Sequence, residues 1–334
     1  MVDGWDVLIL VIKALAIFII VPLAPLVFVL AERKILGRIQ SRIGPNRVGP
    51  WGLLQTLADG IKLGAKEDFI PPAGDRVVFW LAPLFMVVPA AMAWAVIPIG
   101  PEVEIGRKIG LWVTDLNVAI LYILALGSVA VYGPVMAGWS SNSKYALFGS
   151  LRSTAQVISY EITMGVAVLG VLVYTGSFSL VDIVEKQKDM WFAVPQILGL
   201  FVFFVSGIAE TNRAPFDLPE AETEIVAGYH VEYSGMRFAM FFLAEYANMF
   251  LVSALAVILF FGGWHGWTIP GIEGLTSVLW FMLKTLALMF VYFWLRATLP
   301  RLRYDQLMAF CWKFLLPLGI VNLLITAVLR LGWS

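Results

Sequence analysis

The chain has 334 residues, of which 60% are apolar and only 14% charged, against roughly 25% charged in a typical soluble domain. Such a chain cannot cover a water-facing surface. Its 23 Lys+Arg balance 23 Asp+Glu, so no net field favours nucleic acid. One cysteine, Cys311, and two histidines, His230 and His265, exclude a disulfide framework and a cysteine-held Fe–S cluster. No G-x-G-x-x-G or G-x-x-x-x-G-K-[ST] nucleotide loop is present. Any redox chemistry therefore falls to a partner or a diffusible molecule.

Crossing a bilayer takes about 20 mostly apolar residues. Eight such stretches are predicted, over 7–31, 77–99, 115–138, 155–175, 191–209, 238–262, 278–299 and 311–331. They make residues 1–334 a single polytopic, all-α integral membrane domain. The first stretch follows the acidic Asp3 and Asp6 and is too long for the apolar part of a cleaved signal. Lys and Arg set the orientation. The odd-numbered loops hold 15 of them (Arg33, Lys34, Arg38, Arg42, Arg47, Lys62, Lys66, Arg76, Lys144, Arg152, Arg213, Arg237, Arg296, Arg301, Arg303), the even loops 4 (Arg107, Lys108, Lys186, Lys188). The odd loops are thus expected in the cytoplasm and both termini outside.

Loop 1 (32–76) opens with the basic run Glu32 to Arg47, closed by Gly44-Pro45 turn signals. Leu54, Leu57, Ala58, Ile61 and Ala65 then recur at helical spacing, which predicts an amphipathic helix over 51–66 lying in the headgroup plane. The bland reading of these arginines is an anchor on anionic lipid. The sharper one is a docking floor for a cytoplasmic partner beside a lateral opening for a lipid-soluble ligand. Asp59 alone is most often a solvated face residue.

Loop 5 (210–237) breaks the charge rule. Glu210, Asp217, Glu220, Glu222, Glu224 and Glu232 face only Arg213 and Arg237. Asp217 and Pro219 would open a short helix, whose dipole accounts for about two of the acids. Crowding of the others raises carboxylate pKa values and suits proton transfer near neutral pH. Two further acids lie within spans, Glu161 and Glu245, each about eight residues or 12 Å from the cytoplasmic boundary. Lys284 is their cationic counterpart in the seventh span. A group of such residues at matching depth predicts a proton path between helices, the alternative for each alone being a structural ion pair. The aromatic-rich Phe238–Tyr246 stretch suits a tunnel wall or ordinary packing.

Glu32-Arg33-Lys34-Ile35-Leu36-Gly37, Gly44-Pro45-Asn46-Arg47-Val48-Gly49, Ser159-Tyr160-Glu161, the run Ala209 to Glu220, and Arg301-Leu302-Arg303-Tyr304-Asp305-Gln306 together resemble the H-subunit family of bacterial NADH–quinone oxidoreductase, respiratory complex I. The mitochondrial counterpart is subunit 1 of NADH dehydrogenase. The resemblance runs from about Val7 to Trp333. It implies a multi-pass subunit of the bacterial inner membrane that binds no cofactor itself, takes quinone as substrate, and works beside partner subunits carrying FMN and Fe–S clusters. Membrane lipids and small membrane-arm subunits are further implied partners.

On that resemblance Arg33, Arg42, Asp59, Gly60, Phe242, Arg296 and Arg301 are expected at the quinone chamber or its entrance, with Gly60 where bulk would narrow the tunnel. Glu210, Arg213, Asp217, Glu220, Glu222 and Glu224 are expected in a coupling loop, and Glu161, Glu210, Glu245 and Lys284 in a buried proton path. Spans two to six resemble an antiporter-type half-channel. Some relatives carry a further acid in the third span. This chain has none beyond Asp115, so water or Tyr132 is expected to substitute. Two rivals stand: a membrane subunit of a related energy-converting hydrogenase, and a stand-alone proton or cation transporter.

Overall fold

Helix α1 runs from Gly4 to Ile39, well past the predicted end of the first span. Ala31-Glu32-Arg33-Lys34-Ile35-Leu36 are helix-compatible residues that carry the helix on, and 36 residues at 1.5 Å span about 54 Å, far beyond a hydrocarbon core of about 30 Å. The computed structural model describes residues 4–104, 108–218, 226–269 and 271–332. Helix α2 (Gln55–Ala65) follows at the predicted amphipathic segment. Its Leu54, Leu57 and Ile61 flank is exposed, the orientation an interfacial helix needs to reach lipid.

Helix α3 (Arg76–Ala93) starts where Asp75 Oδ1 accepts from the amides of Val77 (2.9 Å) and Val78 (3.2 Å), the usual N-cap arrangement. An antiparallel hairpin of β1 (Gly100–Glu104) and β2 (Lys108–Leu111) follows, a small exception to an otherwise helical fold. Lys13 of α1 pins it, donating to the carbonyls of Gly110 (2.6 Å) and Trp112 (3.0 Å).

The third stretch is broken into α4 (Ala119–Ala130) and α5 (Tyr132–Ser140). Pro134 has no amide to give Ala130, which interrupts the ladder there. Helix α6 (Lys144–Thr175) begins eleven residues before its apolar stretch, so Lys144 and Arg152 are helical rather than in a loop. After the short α7 (Leu180–Glu185) comes α8 (Ile197–Glu210). It is shorter than the predicted 191–209 span because Pro195 disfavours helix in the residue before it.

Helix α9 (Gly235–Phe260) is the hub of the bundle, with every residue from Met249 to Phe260 buried. A helix apolar on all faces belongs in the interior. Helices α10 (Glu273–Thr298), α11 (Tyr304–Phe310) and α12 (Leu316–Gly332) complete the chain, the last two joined by a π turn at Cys311–Leu315.

Among the described residues seven helical segments are long and apolar enough to cross a membrane. The eighth expected span is represented by α8, which at 14 residues covers about 21 Å. Helix α6 packs on α5, α8 and α12, and α9 packs on α1, α2, α3, α8 and α10. The protein is thus an all-α, multi-pass membrane protein. The cytoplasm-assigned segments 32–76, 210–218, 226–235 and 299–303 meet at one end of this bundle, where α1, α8 and α10 finish and α9 starts.

Candidate functional site

At that end lies a buried ion network which local sequence patterns do not reveal. Glu32, near the end of α1, is 2% exposed. Its carboxylate pairs with Arg296 in the last turn of α10, accepts from the Tyr246 hydroxyl at 2.7 Å, and lies 3.9 Å from Arg213. Arg213 sits directly after α8, stacks 4.0 Å over the Tyr246 ring, and is 3.9 Å from Glu245. Glu245 accepts from the Tyr229 hydroxyl at 3.2 Å. The order Arg296–Glu32–Arg213–Glu245–Tyr229 ties α1, α10, the loop after α8, and α9 into one charged unit. Glu32 falls within a motif, but its charge alone suggests no role. Its position just past an apolar run was the available signal.

The other two acids face a different space. Glu161 on α6 and Glu210 at the end of α8 line a cavity of about 70 Å3 together with Gly127, Asn212, Asn248 and apolar side chains such as Met86, Met164 and Phe203. Such a volume has room for several waters. Glu245 is not among its lining residues, and Glu210 Oε2 is buried without a hydrogen-bond donor among the described residues. Measured from the helix starts, Glu161 is 17 residues into α6 and Glu245 10 residues into α9, because α6 begins well before its apolar stretch. Of the two substitutes expected for a third-span acid, Tyr132 is 59% exposed. Ser128, one turn earlier, faces Glu161 instead, its hydroxyl 2.5 Å from Glu161 Oε1.

Lys284 is not brought to the acids. Its ammonium donates to the carbonyls of Phe261 (2.8 Å), Gly263 (3.1 Å) and His265 (2.7 Å) and lies 4.7 Å over the Trp191 ring. Phe261 is 16 residues along from Glu245, about 24 Å of helix. Lys284 therefore caps the opposite end of α9.

At the α1–α2 junction, Arg33 donates to Asp59 at 2.5 Å, and Gln55 donates to the same carboxylate at 3.0 Å. Partial burial pushes the Asp59 carboxyl up, but the hydrogen bonds from Arg33 and Gln55 and the charges of Arg33 and Lys62 hold it below the usual range. Asp59 is thus a paired residue rather than a solvated one. The space beside Gly60 is open: apart from its chain neighbours and the backbone of its own helix, no atom of the described residues lies within 4 Å of where a Cβ would stand. Arg42, in the turn after α1, bonds the Gln40 side chain at 2.8 Å. Arg301 pairs with Asp217 at 3.1 Å. Glu220, Glu222 and Glu224, with Pro219, lie outside the described residues.

Phe242 packs against Phe238 and against His230, with ring centroids 4.7 and 6.0 Å apart. His230 lies in a cage completed by Tyr229 and Phe241, and burial pushes its imidazole down to about 4. The loop bearing it is held close to α6, where a Cβ on Gly149 would come within 2.5 Å of Gly228 Cα. On the α2 side, Arg237 is sandwiched near Trp80 and Phe79 and pairs with Asp68 at 3.0 Å. This contact anchors the segment after α2 to the start of α9.

The NADH dehydrogenase family matches residues 12–327. The chain is also 52% identical over 327 residues to the H subunit of the NADH-quinone oxidoreductase of Frankia casuarinae, covering 96% of this chain and 72% of that protein. The long ordered motifs of loops 1 and 5 fall inside the matched region. The chain belongs to the NADH dehydrogenase family.

Proposed function

We propose that this chain is a membrane subunit of a proton-translocating NADH:quinone oxidoreductase of the bacterial inner membrane, that it forms much of the quinone chamber, and that it couples quinone reduction to proton movement. It carries no redox centre of its own. FMN and Fe–S clusters belong to peripheral partners on the cytoplasmic side, and quinone enters from lipid near α1, α2 and α9. Arg33, Arg42, Asp59, Gly60, Phe242, Arg296 and Arg301 line that route.

One observation carries the coupling. Glu210 and Arg213 lie on the same short segment, with Glu210 facing the Glu161 cavity and Arg213 between Glu32 and Glu245. A change of charge at the quinone site that shifts loop 5 therefore moves a guanidinium between two buried carboxylates and alters the field at Glu210. At roughly 4 Å such interactions are several kcal/mol where water is scarce. Asp217, Glu220, Glu222 and Glu224 transmit the change along the loop. Glu161 also supports membership of a larger assembly. It is only half-buried on a membrane-spanning helix, and a carboxyl group there is covered by a partner helix rather than by lipid.

The test is Glu161→Gln and Glu245→Gln in the assembled complex. Both variants should assemble and show slowed coupled quinone reduction. Unchanged NADH:quinone turnover and proton pumping in both would refute the coupling role. A mild-detergent pull-down separates the rivals. Flavin with NADH-reducible Fe–S signals supports the quinone enzyme, nickel without flavin the hydrogenase relative, and a lone colourless chain the transporter.

A further inference from the structure

Gly127 and Ser128 are neighbours on α4 and stand between the two cavity acids. A Cβ at Gly127 would lie 3.5 Å from Glu210 Oε1 and 3.7 Å from Glu161 Oε1. Both carboxylates therefore border one small volume that exists because residue 127 has no side chain, a gap that roughly one or two waters would bridge. Ser128 is one residue on. Its hydroxyl lies 2.5 Å from Glu161 Oε1 and 3.2 Å from the Leu124 carbonyl. A serine hydroxyl has one donor and two acceptor sites. Turned towards Glu161, it donates to the carboxylate. Turned towards Leu124, one helical turn back, it donates to the carbonyl and accepts from a protonated Glu161. The same side chain thus satisfies both protonation states of Glu161 through a hydroxyl rotation, with no backbone movement.

We infer that Gly127 and Ser128 form the junction across which Glu161 and Glu210 exchange a proton: Gly127 keeps the gap open, and Ser128 is the positioning residue that serves Glu161 whether charged or neutral. This rests on the proton-path reading above. In the transfer, one carboxyl gives its proton to a water in the gap while that water gives a proton to the other carboxylate. One O–H bond breaks and one forms at each step, no electron moves, and the pair keeps a single negative charge.

The experiment uses the assembled complex in its native membrane, with Gly127→Ala, Ser128→Ala, Ser128→Thr, Glu161→Gln and Glu210→Gln. An alanine methyl at 127 would sit at ordinary van der Waals distance from both oxygens, so it excludes water without a clash. Native gels should show Gly127→Ala assembled at parental levels while coupled quinone reduction falls roughly tenfold, the scale of losing one hydrogen-bonding group from a charged partner. Infrared difference spectra supply a readout that a merely structural role would not move. The carboxylic C=O band that disappears in Glu161→Gln should shift in Ser128→Ala and return in Ser128→Thr. Parental coupling in Gly127→Ala and Ser128→Ala beside a slowed Glu161→Gln would overturn this proposal alone. Parental coupling in both Glu161→Gln and Glu210→Gln would overturn the proton-path reading, and this one with it.

Discussion

Replacing Glu32 with Gln isolates what the buried network contributes. The Glu32 side chain is 3% exposed and engages Arg296, Arg213 and Tyr246 together. The amide keeps the shape, and its oxygen still accepts from Tyr246. What is lost is the charge facing two guanidinium groups. Arg296, with a side chain 35% exposed, can turn to water, so little of the penalty falls there. Arg213 is 6% exposed and would lose one of the two carboxylates beside it, with Glu245 still at 3.9 Å and the Tyr246 ring still beneath it. Removing one partner of a fully buried pair costs about 3–5 kcal/mol. With Glu245 retained and Arg296 rehydrated, the loss should fall at or just below the lower end of that range, about 2–3 kcal/mol. Over 334 residues that corresponds to a drop in unfolding midpoint of about 3–4 °C. The chain offers its own reporter, since its single cysteine, Cys311, is buried at 1% exposure and becomes reactive to a thiol-directed fluorophore only on unfolding. A companion cycle with Arg296→Gln should give a coupling of about 1–2 kcal/mol, as expected for residues in direct contact. A midpoint for Glu32→Gln indistinguishable from the parent would mean that the network is solvated and that Arg213 is not held by it.

Three further outcomes follow from the same contacts. Burial holds His230 at about 4, so the folded state binds its proton less readily than the unfolded chain. Its contribution is complete above pH 6.5 and is lost as pH falls from about 6.5 towards 4, worth on the order of 3 kcal/mol. His230→Asn should flatten the stability profile in that window, and an unchanged slope would show that the imidazole is not desolvated. Lys284→Met removes three hydrogen bonds from the end of α9 and should cost about 2–4 kcal/mol while leaving coupled turnover intact in the surviving protein. A selective loss of pumping at parental stability would instead return Lys284 to the proton path. Gly60→Val enters open space beside Asp59, so stability should hold while the KM for quinone rises a few-fold with kcat little changed. An unchanged KM would remove Gly60 from the entrance.

The fold was legible wherever apolarity alone decides. Seven of the eight apolar stretches became spanning helices because a hydrocarbon core demands length and internal backbone hydrogen bonding and little else. Helix ends were less legible, since helix propagation does not stop at the membrane boundary. Lys144 to Thr154 and Glu32 to Ile39 stay helical although they are polar or basic. The break at Val131 and the late start of α8 were written in Pro134 and Pro195, but a hydropathy window averages over single prolines. The hairpin at Gly100–Leu111 has no strong alternation and is held partly by Lys13, nearly a hundred residues away.

The site was legible by residue type and not by partner. Glu210 stood out by the excess of acids in loop 5, while a carboxyl group inside an apolar helix stands out because its burial is costly, and that logic singled out Glu161 and Glu245. It also selected Lys284 on the same grounds, yet an ammonium can meet the cost with three carbonyls at a helix end, which is a purely structural solution. Depth along a helix likewise suggested one chain of acids. The structure divides them, with Glu245 on the Arg213 side and Glu161 with Glu210 on the cavity side. What joins the two halves is the segment 210–213, whose ends belong to different environments. Ser128 and Gly127 escaped notice because neither is charged. A hydroxyl and a missing Cβ acquire meaning only when α4 is packed against α6 and α8, bringing two carboxylates to the same point. On the proposed proton path, then, the charged residues mark where a proton would reside, while the small and neutral residues between them would determine whether neighbouring acids communicate.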